Sequence, residues 1–299
     1  MSEEVKESFN VALESMGLDK MFLIKETFLG YKYRKREKIL YDQDIELPAK
    51  LIKLYYALNH SVLEFDTLQK AFITHYVNQE SQLEGINIKS LHSASELAGF
   101  RKMYEYIHSN EIDNGFSVHT LKDLHRILYS EVPYPEFGGR LRCDDRYLPG
   151  TGTEVCPWRY ISQRLYEISP VVDELVSRAK DIRDAQDVNR IIPFINDVMV
   201  LKSDLILIHP FPDGNGRVIR GFINKLLEYA GLPPVYIKVN ERTEYHKAMN
   251  KANNEKDYTD LQGFYKFKIC DSIVELDINE RIKEDKDQAR RRTIKNGNR

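Results

Sequence analysis

His209-Pro210-Phe211-Pro212-Asp213-Gly214-Asn215-Gly216-Arg217-Val218-Ile219-Arg220 is the stretch on which the reading of this chain turns. It follows the apolar run Leu205-Ile206-Leu207-Ile208 and precedes an amphipathic run carrying Phe222, Ile223, Leu226 and Leu227. That layout is helix, tight loop, helix. A Gly-Asn-Gly turn lets successive backbone N–H groups converge, and the next helix adds its positive N-terminal end. Arg217 and Arg220 stand one turn apart at the start of that helix, so both lean toward one anion. A purely structural turn needs no histidine, no carboxylate and no pair of arginines. Together these residues read as a phosphate cradle with a base, His209, beside it.

The chain of 299 residues has room for one large domain, or for a domain with an accessory segment, and 42% hydrophobic residues supply a sizeable core. A net charge of -2 gives no overall basic field, so no nucleic-acid partner is expected. Cys143, Cys156 and Cys270 form no C-x-x-C pair and no metal-ligand spacing, and an odd count argues against a secreted disulfide framework. The N-terminus, Met1-Ser2-Glu3-Glu4-Val5-Lys6, lacks the apolar core of a signal peptide. No run approaches the roughly 18 apolar residues of a membrane span, so a soluble cytoplasmic protein with no membrane contact is the expectation.

Elsewhere helical periodicity dominates. Helices are predicted over 48–65, over 67–83 and over 120–132, each with apolar residues at helical spacing. Between them, Ser93 with Glu96 reads as a capping box opening a helix through Leu97, Phe100, Met103, Tyr104 and Ile107. Residues 133–157 differ: Pro133, Pro135, Gly138, Gly139, Pro149, Gly150, Gly152 and Pro157 suit a small β-hairpin. Helices then resume over 158–168, over 170–182 with Ser169 as N-cap and Pro170 in the first turn, and over 193–208. The last is apolar on nearly all faces and reads as the buried central helix. Two closing helices are predicted over 241–253 and 257–273, and the charged tail beyond Ile282, with Arg290-Arg291-Arg292, reads as solvated. The fold class is all-α with a small β-hairpin.

The opening stretch matches, position for position, the H-x-F-x-D/E-G-N-G-R-x-x-R signature of the Fic (Fido) family, which the chain resembles from about 116 to 273. The resemblance implies a helical bundle with a hairpin flap, here with an extension over 1–50, a helical segment over 51–115, a catalytic core over 116–273 and a tail over 274–299. It implies transfer of AMP from ATP to a hydroxyl of a target protein, with Mg²⁺, and allows auto-modification. His209 would be the general base, and Asp213 the Mg²⁺ ligand, with a helix cap as its other role. Gly214, Asn215 and Gly216 would surround the α-phosphate, and Arg217 and Arg220 would clamp the other phosphates. Phe211 would anchor the loop in the core. Tyr245 and Asn253 would serve the nucleoside, and Leu148, Pro149, Gly150 and Thr151, in the flap opened by Gly139-Arg140-Leu141-Arg142, would lie near nucleotide and target.

Ser81-Gln82-Leu83-Glu84-Gly85-Ile86 resembles the family's inhibitory segment, S/T-x-x-x-E-G/N, in which the glutamate pairs with the second arginine of the signature, here Arg220. The match departs in one place: Glu80 stands where the Ser or Thr belongs, and Ser81 is one position late. Glu84 is taken as the inhibitor, and Glu80, one turn earlier, is expected to matter less. Two other readings stay open, removal of AMP from a modified protein and a nucleotide-binding interaction module without turnover. A homodimer is also left open.

Overall fold

The computed structural model describes residues 23–26, 32–35, 52, 66–86, 93–148 and 152–273. The predicted helix over 48–65, apart from the buried helical residue Ile52, lies outside the described residues, as does the tail over 274–299. In the N-terminal extension β1 (Leu23–Glu26) pairs antiparallel with β2 (Lys32–Lys35), Leu23 opposite Lys35. Sequence periodicity did not disclose that pair. The helices are α1 (Asp66–Leu83), α2 (Ala94–Ile107), α3 (Thr120–Leu128), α4 (Ile161–Ala185), α5 (Val188–Ile208), α6 (Asn215–Tyr229) and α7 (Arg242–Glu255). A further helical run covers 259–273. No described helix is long and apolar enough to cross a membrane.

The helix enclosed on every side is α6, packed against α2, α3, α4 and α5. Its sequence looks amphipathic because it carries Arg217, Arg220, Asn224 and Lys225, yet all four are buried. Each is answered by a partner, as burial of polar groups requires. Lys225 reaches Asp113 and Glu228, both at 3.0 Å. Asn224 donates to the Val235 carbonyl at 2.8 Å and accepts the Val235 N–H at 2.9 Å. The apolar helix α5 shares the core but turns Pro193 and Asp197 outward.

Several predicted ends move. The Ser93 side chain makes no capping hydrogen bond, because its backbone is already helical, and Glu96 turns to Arg217 instead. α3 ends at Leu128, short of Val132. There is no break at Ser169: α4 runs continuously through Pro170. The carbonyl that Pro170 leaves without a donor belongs to Tyr166 on an exposed stretch, where water can satisfy it. α5 starts earlier than Pro193, capped by Asp187, whose carboxylate accepts the Asn189 N–H at 3.1 Å. The predicted hairpin over 133–157 contracts, among its described residues, to a single antiparallel bridge, Tyr147 with Glu154.

Candidate active site

Helix α5 ends on His209, whose backbone adopts the left-handed conformation (φ 47°, ψ 61°), uncommon for a residue with a side chain. Its N–H still closes the last helical bond to the Leu205 carbonyl at 3.0 Å, and its carbonyl accepts the Nε–H of Arg142 at 2.7 Å. Buried Arg142 also donates to the carbonyls of Asp144 (2.6 Å), Ile208 (3.3 Å) and Cys156. Its own N–H reaches the Pro210 carbonyl at 3.0 Å, and the Cys156 N–H reaches Leu207 at 2.7 Å. One arginine thus fastens both legs of the flap to the end of α5.

The loop then turns back on itself through Asn215. Its side chain accepts the Phe211 N–H at 2.9 Å and donates to the Phe211 carbonyl at 2.7 Å. Gly214, left-handed at φ 74°, allows the sharp entry into α6, whose first helical bond runs from the Val218 N–H to the Gly214 carbonyl at 3.0 Å. The amides before Val218 have no carbonyl one turn below them, which makes this end of α6 an anion-binding surface.

A cavity of about 410 Å³ opens over that surface, lined by Glu84, Arg146, Tyr147, Leu148, His209, Asp213, Gly214, Asn215, Gly216, Tyr245, His246 and Asn253, among others. It collects most of the residues that sequence singled out. Pro149, Gly150 and Thr151 lie outside the described residues. Arg217 and Arg220 do not line the cavity; both are buried behind it and held by carboxylates. Arg217 lies 3.4 Å from Glu96 and 3.4 Å from Asp213.

Arg220 is held twice. Its Nη2 donates to Oε1 of Glu84 at 2.5 Å, and its Nε donates to Oε2 of Glu80. The other oxygen of Glu80 accepts the Ile237 N–H at 3.0 Å. Glu80 is wholly buried, whereas the Glu84 side chain keeps 34% exposure. The departure from the family pattern at position 80 therefore places a second carboxylate on the same guanidinium. Burial opposes ionisation of Glu84, but Arg220, with Arg217 behind it, outweighs burial and holds its carboxyl below the usual range. Gly216 makes the approach possible: a Cβ there would lie 2.5 Å from Oε1 of Glu84 and 2.8 Å from Nη1 of Arg220.

Around His209 the field is set by burial. Burial, with the Arg142 charge adding to it, holds the imidazole down at about 4, against the pull of the Ile206 carbonyl and Asp213. The ring is neutral near pH 7, and its Nδ1 makes no hydrogen bond. Asp213 keeps 76% of its side chain exposed, accepts the Tyr129 hydroxyl at 2.7 Å and lies beside Arg217. Burial raises its carboxyl pKa, but Tyr129, Arg217 and the Gly214 N–H prevail and lower it.

Three residues of this neighbourhood, His125, Tyr129 and Lys202, escaped the sequence reading, and a fourth, Glu96, was read only as part of a capping box. His125 stacks on buried Phe211 (4.0 Å between centroids, 13° between planes), accepts the Gly139 N–H on Nδ1 at 2.8 Å and meets the Asp213 carbonyl with Nε2 at 3.0 Å. That pair fixes the tautomer with the proton on Nε2. Burial lowers this ring as well, to about 4. Tyr129 and Glu96 hold Asp213 and Arg217 as described. Lys202, fully buried on α5, has no hydrogen bond and sits 5.4 Å from the ring centroids of both Tyr245 and Tyr265. Burial lowers its amine to about 7, with Arg220 adding to the effect and Glu80 and Glu84 resisting it. Such residues come from remote helices, and only the packing brings them together. Tyr245 lies buried between Lys202 and the cavity, with burial pushing its hydroxyl up to about 12. Asn253 lines the cavity while its Oδ1 accepts the Ser203 hydroxyl at 2.8 Å, which leaves its amide hydrogens free to donate.

Comparison with known proteins gives matches to this arrangement. Residues 115–227 match the Fic/DOC family, a span that ends inside α6 and leaves Tyr245 and Asn253 beyond it. A curated relative named protein adenylyltransferase Fic, from Nematostella vectensis, is 26% identical over 267 residues, 86% of this chain and 56% of the relative. Protein adenylyltransferase fic-1 from Caenorhabditis elegans is 29% identical over 183 residues, 60% of this chain and 32% of the relative. The chain thus spans about half or less of the length of these relatives. Among solved structures, residues 134–508 of Fic-1 from C. elegans superpose with a TM-score of 0.58 at 22% identity, covering 81% of this chain and 73% of that one. A Fic-domain signalling protein from Bacteroides thetaiotaomicron gives 0.59 at 15% identity, covering 77% and 95%. The 209–220 loop lies inside the span, residues 115–227, that matches the Fic/DOC family, and the fold is similar to that of solved Fic proteins.

Proposed function

We propose that this chain transfers AMP from ATP to a hydroxyl side chain of a protein, and that Glu84 holds the site in an inhibited state. The observation that carries the reading is the 2.5 Å bond between Glu84 and Arg220 at the edge of a cavity that also holds His209. Relatives named protein adenylyltransferase support the activity. Nucleotidyl transfer depends on positioning and charge compensation more than on covalent chemistry by the protein, and the residues divide accordingly. The amides of Asn215 and Gly216, on the turn that Gly214 opens, receive the α-phosphate. Arg217 and Arg220, the latter freed of Glu84 but still held by Glu80, answer the outer phosphates. Asn253 donates to the base, and Tyr245 and Leu148 wall the nucleoside. Neutral His209 takes the proton of the attacking hydroxyl, and arriving phosphate charge raises its basicity.

Asp213 fits Mg²⁺. It offers a hard carboxylate oxygen, largely exposed toward the cavity, while Tyr129 and Arg217 fix its other oxygen. Mg²⁺ is commonly held by one or two carboxylates, with substrate phosphate and water filling the remainder. When bound it would neutralise polyphosphate charge.

Labelled ATP incubated with wild-type, Glu84→Gly and Glu84→Gly/His209→Ala proteins, with and without cell lysate, tests the reading. Glu84→Gly should raise transfer to protein by ~5–150-fold, the scale of a 1–3 kcal/mol coupling. Adding His209→Ala should lower it by ~10²–10⁴-fold. Equal label in wild-type and Glu84→Gly, or transfer surviving without His209, would defeat the proposal.

A further inference from the structure

Hydroxyl groups are scarce around this cavity. Among its described lining residues only Tyr147 and Tyr245 carry one. Tyr245 is buried, and its oxygen lies within hydrogen-bonding influence of Arg220. Tyr147 is its opposite. It lies on the flap with 72% of its surface exposed, an exposure that packing does not explain. Its backbone is nonetheless fixed. The bridge to Glu154 and the bond from the Leu148 N–H to the Thr153 carbonyl (3.2 Å) hold that edge in place. The Thr153 hydroxyl in turn donates to Asn254 on α7 at 2.8 Å. A pinned backbone thus places an exposed tyrosine among the residues that line the cavity containing His209 and the open end of α6. Arg146, the preceding residue, lines the same wall and is paired at 2.8 Å with Asp144.

We propose that Tyr147 is a self-modification site: in the chain released from Glu84, its own phenol accepts AMP. This rests on the adenylyl-transfer reading above. In balance, the Tyr147 oxygen bonds to the α-phosphorus of ATP and the bond to the bridging oxygen breaks. The phenolic proton passes to His209, and pyrophosphate leaves. The product is a phosphodiester on the flap, and the bulky nucleotide at the rim narrows the entrance through which a second protein presents its hydroxyl. Self-modification on this residue therefore limits the chain's own activity toward other proteins.

The test uses the full chain carrying Glu84→Gly, with ATP and Mg²⁺, followed by mass spectrometry of its peptides. AMP is expected on the peptide containing Tyr147, and Tyr147→Phe in the same background should reduce self-label to background. The exposed side chain makes folding of that variant safe to verify by a matching thermal transition. Exposed Tyr160 and Tyr166 do not line this cavity and serve as controls. Label per chain should form at a rate independent of protein concentration. Self-label that persists in Tyr147→Phe, that maps to Tyr160 or Tyr166, or that forms faster per chain at higher concentration overturns the assignment. AMP on lysate proteins without AMP on Tyr147 rejects this site alone, whereas AMP on no protein rejects the adenylyl-transfer reading with it.

Discussion

A guanidinium removed from water must have its charge answered, and two carboxylates answer Arg220 in different ways. Glu80 is enclosed and spends its second oxygen on the Ile237 N–H, so it joins α1 to the segment after α6. Glu84 stands one residue past the end of α1, with a third of its side chain exposed toward the cavity. Breaking a buried pair from one side typically costs 3–5 kcal/mol, whereas exposed pairs contribute about 0–1. Glu80→Gln keeps the shape and removes the charge, so it is expected to lower unfolding stability by about 3 kcal/mol in urea titrations, whereas Glu84→Gln should change it by under about 1. A Glu80→Gln protein as stable as wild type would show that the buried contact is dispensable. The expectation that Glu80 matters less than Glu84 concerns inhibition; for the fold, the wholly buried Glu80 contact is predicted to matter more. Nothing in the spacing of Glu80 points at Arg220, a residue 140 positions away; only its departure from the expected pattern marked it. The 209–220 loop was legible because its residue types and spacing carry the pattern themselves and Asn215 closes it on nearby Phe211, although the groups that hold Asp213, Arg217 and Arg220 are remote.

At the level of elements, apolar spacing located the described helices and misjudged several of their ends, while the helix predicted over 48–65 lies, Ile52 apart, outside the described residues. Ends depend on single capping bonds: Asp187 caps α5 where Pro193 was expected to begin it, and Ser93 caps nothing. Pro170 was read as a start because proline favours the first helical turn. It stands well inside α4, where it removes one helical bond on an exposed face. Pro170→Ala should restore that bond without leaving a cavity and raise stability by about 1–3 kcal/mol. Thermal unfolding of the variant checks this; a lower midpoint would mean that the proline shapes α4 for its packing on α5. The flap was legible as non-helical from its prolines and glycines. Its docking by Arg142 onto three carbonyls near the end of α5 was not, since any surface arginine looks the same in sequence.

For the whole molecule the class of fold was legible, but the burial of a charged helix at its centre was not, because pairing rather than hydropathy permits it. The same burial gives the protein a pH profile. His75, His125 and His209 each fall to about 4, burial being the leading cause. Their folded pKa lies below the unfolded value near 6.5, so the unfolded chain binds more protons between those limits. Stability is fully present above about pH 6.5 and lost as pH falls toward 4, by up to about 1.4 kcal/mol per pH unit for each ring, less for the half-buried His75 and His209. Lys202 acts in the same direction at higher pH: lowered to about 7, it makes stability rise between about 7 and 10.5. Urea unfolding at pH 6.5, 5.5 and 4.5 should show this loss, and a flat profile from 6.5 to 5 would refute buried neutral histidines. The doubly held Arg220 has a consequence in time. On the proposed inhibition by Glu84, its departure would leave Glu80 holding the guanidinium, so no core side chain would have to repack before a nucleotide enters. The proposed interval between inhibited and competent protein would then be that of a helix terminus swinging aside, nanoseconds to microseconds, not the far slower opening of a packed core.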